Sequence, residues 1–169
     1  VVLTGGLAAL PWARTIEGCS TGGGIAAYLT IFYPKFWCGA WPGAPDQMDF
    51  RAYELVNIYS DPNAYVWDRG PIPGSIKVPR LGNRTPQGDS IWTIEQENDW
   101  EHALATKGRS QWGDWDMWQA LYGPVGPDGY PAALWDKETG VIDHDVANAW
   151  KPMDMSIYVT EHWPTIGKD

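Results

Sequence analysis

Ser20 lies at the centre of Gly18-Cys19-Ser20-Thr21-Gly22, the Gly-x-Ser-x-Gly spacing of a serine nucleophile carried on a bend between a strand and a helix. The chemistry dictates the spacing. A serine on such a bend sits where strand and helix nearly touch, so side chains two residues to either side would crowd its neighbours. Gly18 and Gly22 are expected to allow close approach and unusual backbone angles. The following helix points its open N–H groups at the bend. The first of them, at Thr21, is expected to hold the oxyanion formed when a carbonyl is attacked.

Such a serine needs a base, and the chain has three histidines, His102, His144 and His162. His102 falls in mid-helix among acids. His144 stands between Asp143 and Asp145 at a helix start, where capping explains the acids. His162 follows Glu161 and comes last, which fits the order serine, acid, histidine, so it is the expected base. Cys19 abuts the serine but is off the centre of the glycine spacing; with Trp41 and Asp46 it is assigned to the substrate pocket. Cys19 and Cys38 both read as buried thiols. Asp143-His144-Asp145 does not make a metal site, because adjacent helical residues point in different directions. No metal and no other cofactor is expected. Gly22-Gly23-Gly24-Ile25-Ala26-Ala27 also fits G-x-G-x-x-A, a dinucleotide fingerprint. That reading needs a strand ending at Thr21 and an acid about 20 positions on. Asp46 and Asp49 are near enough, but no strand leads to them.

These residues require a strand before the bend and a helix after it. The pattern predicts a short strand over Ala13 to Glu17 and a helix from Gly22 to Phe32, apolar nearly all round and stopped by Pro34. A second strand is predicted from Phe36 to Ala40, with Trp41 to Pro45 as a turn at its carboxyl end. Ligands sit there in open α/β sheets, which makes Trp41, Asp46 and Asp49 pocket candidates, with helix capping as the competing reading of both aspartates. Asp49 is expected to cap a helix over Phe50 to Tyr59. Residues 61–92 read as loop, with a short hairpin around Ser75 to Val78. Thr93-Ile94-Glu95-Gln96 is a capping-box pattern that opens a helix to Lys107, stopped by Gly108. Gly113 or Asp114 caps a helix whose Trp115, Trp118 and Tyr122 form one aromatic stripe. Asp143 caps another to Trp150, and Asp154 a last one to Trp163. The expected fold class is α/β: strand, bend, helix and strand over residues 1–46, then a mostly helical, loop-rich insertion over 47–169, placed like a lid.

With these elements in view, the chain resembles the enterochelin-esterase-like branch of the α/β-hydrolase superfamily. The likeness rests on Gly18 to Gly23, Ile31 to Trp41, Pro45-Asp46, Asp49 to Tyr53, Val56 to Tyr59 and Asn63 to Tyr65. It continues through Gly123 to Pro131, Leu134 to Lys137 and Gly140 to Asp143. The resemblance implies a nucleophile at Ser20 and an oxyanion hole made by the Thr21 N–H and a second donor upstream of the elbow strand. It implies an acid and then a histidine further along, and a bacterial secreted or periplasmic setting. The chain shows no Gly-x-x-Asp-like acid position and nothing like the family's terminal histidine loop. It is therefore expected to be a middle piece of a hydrolase: the elbow and a long insertion, with the remainder of the domain as partner and little turnover alone.

Composition narrows the partners. A net charge of −9 argues against nucleic acid and anionic membranes. No apolar run approaches about 18 residues, so none is expected to cross a membrane. The 12 tryptophans in 169 residues far exceed ordinary usage; they read first as packing anchors and second as a sugar-stacking surface. The expected function is a serine carboxylic-ester hydrolase acting on a small-molecule ester. The alternative is a non-catalytic, aromatic-rich module that binds carbohydrate or peptide and keeps a degenerate elbow.

Overall fold

The computed structural model describes residues 10–105 and 114–167. Over those residues the chain is mixed α/β, with five α-helices and three two-stranded sheets. It forms two compact units, Val1–Asp49 with Pro152–Asp169, and Phe50–Lys151. The expected break after residue 46 placed the last helix with the insertion, whereas it belongs to the first unit.

The first unit is built on a strand–helix–strand piece. Strand β1 (Thr15–Cys19) leads through Ser20 into helix α1 (Thr21–Phe32), and β2 (Gly39–Gly43) returns parallel to β1, with Thr15 opposite Gly39 and Cys19 opposite Gly43. β1 runs two residues further than predicted, because the Ser20 amide donates to the Gly43 carbonyl at 3.0 Å and carries the pairing to the bend. β2 begins three residues later than predicted. The amides of Phe36 and Trp37 both donate to the Tyr33 carbonyl, so the chain is still turning after α1 and Pro34. Trp41, Pro42 and Gly43 are thus strand rather than turn. Alternation sorts the side chains of β1: Ile16 points inward onto Ala26 and Trp37, while Thr15, Glu17 and Cys19 are exposed.

The last helix, α5 (Met155–Ile166), closes this unit. Asp154 caps it as predicted, its Oδ1 accepting the amides of Ser156 and Ile157 at 3.0 and 3.2 Å. The helix runs past Trp163 through Pro164. Tyr158 meets the Phe32 ring edge-on at 4.6 Å, and the Tyr28 hydroxyl donates to the Met153 carbonyl at 2.7 Å.

The second unit is not mostly helical. Residues 61–92, read as loop, hold two hairpins: β3 (Val66–Asp68) against β4 (Lys77–Pro79), and β5 (Leu81–Arg84) against β6 (Ser90–Thr93). The helix expected over Phe50 to Tyr59 is absent. A single 3-10 turn at Phe50–Ala52 is followed by Glu54 at φ 53°, which ends any helix, and Tyr53 bridges to Val56. Phe50, Tyr53, Val56 and Ile58 are nonetheless fully buried. Their apolar spacing serves a core, not a helix.

Helices α2 (Ile94–Leu104), α3 (Asp114–Tyr122) and α4 (His144–Ala149) begin as predicted. Thr93 and Gln96 form the reciprocal capping box, and Asp143 caps α4. The predicted stop of α2 at Lys107 and Gly108, and Gly113 as a cap, lie outside the described residues; the described helix ends at Leu104. Trp115 and Tyr122 of the aromatic stripe are core residues. Tyr53 sits between Trp115, Trp118, Trp135 and Trp150 with centroid distances of 5.5, 5.6, 6.3 and 5.5 Å, all edge-on. Buried Arg80 pairs with Asp61 at 2.7 Å, donates to the Leu55 carbonyl and lies over Trp67. No helix among the described residues is long and apolar enough to cross a membrane.

Candidate functional site

The bend at Ser20 is a strained one. Its φ of 55° and ψ of −129° lie in a region that side-chain-bearing residues rarely adopt, and such a conformation costs of order 1–3 kcal/mol. Close packing holds it there. A Cβ on Gly18 would stand 2.1 Å from the Gly22 carbonyl oxygen, and one on Gly23 would stand 2.5 Å from the Gly43 carbonyl oxygen. β1, the start of α1 and the end of β2 therefore cross with backbone against backbone. The expected role for Gly22 is not the one observed, since a Cβ there would meet open space. Gly23 does the work assigned to it, against the Gly43 carbonyl, and the short motif alone could not reveal it.

Strain presents the serine instead of spending it on the helix. A serine at this position ordinarily caps the helix through its hydroxyl. Ser20 makes no such bond; its hydroxyl is exposed and has no partner among the described residues. The Ser20 carbonyl takes the amides of Gly23 and Gly24 at 2.8 and 3.1 Å. That leaves the amides of Thr21 and Gly22 as the donors of the first turn with no partner among the described residues, beside an exposed serine and at the positive end of the helix dipole.

The pocket candidates Asp46, Cys19 and Trp41 lie along the two strands or just after them. Asp46 follows β2 and lies against Gly24, its backbone N and Cβ 3.7 and 3.8 Å from where a Gly24 Cβ would be. Gly24 is one helical turn from Ser20, on the same face. Oδ2 of Asp46 is buried without a hydrogen-bond partner among the described residues. Cys19 is exposed, as is Cys38, against the expectation of buried thiols; alternation along β1 turns Cys19 away from the α1 side. Trp41, opposite Glu17 in β2, is 65% exposed.

His162 is not brought to Ser20. It lies exposed on α5, with its ring stacked on Tyr158 at 4.1 Å and Nδ1 2.9 Å from the Tyr158 carbonyl oxygen. Tyr158 in turn touches Phe32, the last residue of α1. The 12-residue helix, about 18 Å long, separates that end from the serine. Among the described residues no carboxylate is hydrogen-bonded to the ring. The groove of about 890 Å³ lined by Trp12, Ile31, Trp37, Cys38, Trp163 and Ile166 is also at the far end of α1. Of the other histidines, His102 is exposed on α2, and His144 Nε2 lies 3.0 Å from the Asp61 carbonyl oxygen. The dinucleotide reading loses its geometry, because β1 ends at Cys19 and Gly22 is already inside α1. Among the described residues no three His, Cys, Asp or Glu side chains are grouped to hold a metal.

No family model matches the chain, and no curated protein or solved structure is significantly similar to it.

Proposed function

We propose that the chain carries the nucleophile of a serine hydrolase, a carboxylic-ester hydrolase, on a strand–elbow–helix–strand piece of α/β-hydrolase type. The observation that supports this reading is Ser20 itself: an ungapped turn from strand to helix, a positive φ on a residue with a side chain, and a hydroxyl left out of the cap. Ser20 Oγ attacks the ester carbonyl carbon while a base takes its proton. The carbonyl π electrons move onto oxygen, and the Thr21 and Gly22 amides donate to that oxyanion. Collapse expels the alcohol with the proton returned, leaving an acyl-serine that water hydrolyses. Trp41 and Asp46 form the substrate side of the site. His162 has no part in it, and the reading requires a proton acceptor from elsewhere in the protein.

A fluorophosphonate probe tests the reading. It is expected to label Ser20 and no other residue, as mapped by peptide mass spectrometry, and Ser20→Ala is expected to abolish the adduct. An unlabelled Ser20 would sink it. A second reading draws on the missing histidine and on the exposure of Trp41: the unit keeps its elbow without catalysis and binds carbohydrate or peptide through surface tryptophans. Tryptophan emission that shifts with added sugars, in a protein that takes no probe, is the result that favours it.

A further inference from the structure

The second unit holds a carboxyl group that the proposed chemistry does not use. Glu101, in the last turns of α2, is 2% exposed. Its Oε1 accepts the Trp115 amide at 3.1 Å, one of the open donors at the start of α3, so a single carboxyl joins two helices. Its Oε2 is buried with no hydrogen-bond partner among the described residues. The charged groups that face it do not neutralise it. Lys137 is the cation that faces it among the described residues, but its Nζ is engaged by Asn98 Oδ1 at 2.7 Å and Asp116 Oδ1 at 3.0 Å. Asp116 from α3 and Glu97 from α2 face it with its own sign. Burial is the largest influence and pushes the carboxyl up to about 7; the Trp115 amide and Lys137 pull it back, and Asp116 and Glu97 add to the rise.

We propose that Glu101 is a proton-operated latch: with its proton on, the carboxyl holds the start of α3 against α2, and loss of that proton loosens α3. The protonated group still accepts the Trp115 amide through Oε1 and brings no charge into the core. The ionised group requires water, which reaches Oε2 only when the junction opens. The direction follows from linkage. The closed form keeps its proton up to about pH 7, whereas an opened form titrates near the ordinary 4.5. Opening therefore increases with pH between those values and levels off above them. From about pH 6 to about pH 8 the opening equilibrium is expected to rise about tenfold.

Hydrogen exchange at the Trp115 amide of the full chain, corrected for the intrinsic pH dependence, reads this directly. Protection is expected to fall about tenfold over that range in the unmodified protein. It is expected to stay level in Glu101→Gln, which keeps the acceptor and has no proton to lose. Carboxyl titration by NMR of the unmodified chain is an independent reading that survives a poorly folding variant, with a midpoint expected near 7 for Glu101. A midpoint near the ordinary 4.5, or the same pH response in both proteins, would overturn the latch. The elbow chemistry is not involved in either outcome.

Discussion

Around Ser20 the decisive contacts are backbone against backbone, whereas around Glu101 they run through side chains. At the elbow, Gly18 and Gly23 leave room for carbonyls that a Cβ would strike, and the result is an exposed serine beside two amides with no partner among the described residues. At the α2–α3 junction, Asn98 Oδ1 accepts from both the Trp135 indole at 3.3 Å and the Lys137 ammonium at 2.7 Å, and Glu101 takes the Trp115 amide. The first arrangement keeps polar groups open toward solvent. The second encloses them and fixes helices with them. Backbone geometry exposes chemistry at the price of strain, and side-chain networks bury chemistry at a cost in desolvation.

Substitutions can break or sharpen that contrast. The largest effect is expected from Gly18→Ala, whose Cβ would overlap the Gly22 carbonyl and must push β1 and α1 apart. A loss of about 3 kcal/mol in chemical denaturation is expected, together with loss of probe labelling at Ser20. Unchanged stability would show that the crossing is loose. Ser20→Gly should act in the opposite sense. Glycine accepts φ 55° without strain, so the unit is expected to gain about 1 kcal/mol while all labelling disappears. A destabilised Ser20→Gly protein would mean that the bend is not held against its preference. In the side-chain-built unit the smallest effect falls on a surface cap: Thr93→Ala removes the Oγ1 that accepts the Gln96 amide, leaves the residue-93 amide donating to Gln96 Oε1, and is expected to cost about 1 kcal/mol, read from thermal unfolding. It should leave the labelling rate at Ser20 unchanged.

The contrast also accounts for what could be read from residue types alone. Local rules carried well. The bend at Ser20, the capping box at Thr93, and the caps Asp143 and Asp154 are set by neighbours within a few residues, and they stand where spacing placed them. Rules that depend on distant partners did not carry. Gly23 is needed because the Gly43 carbonyl lies across from it, and nothing near Gly23 announces this. Phe50, Tyr53 and Val56 have helical spacing, but the aromatic ring that Trp115, Trp118, Trp135 and Trp150 build around Tyr53 outweighs local preference. Glu101 was invisible for the same reason: an acid near a helix end reads as surface until Trp115 is folded onto it. His162 was chosen by chain order, and order gives no distance.

The glycine crossing beneath Ser20 has one more consequence. Its floor is sealed against variation, because any atom added at Gly18 or Gly23 collides with main chain that has nowhere to go. On the proposed hydrolase reading, a different molecular preference would be written at Cys19 and Trp41, which are exposed, and at Asp46, which is half-buried. Those three positions are where a designer should diversify the protein, leaving the hinge of main chain untouched.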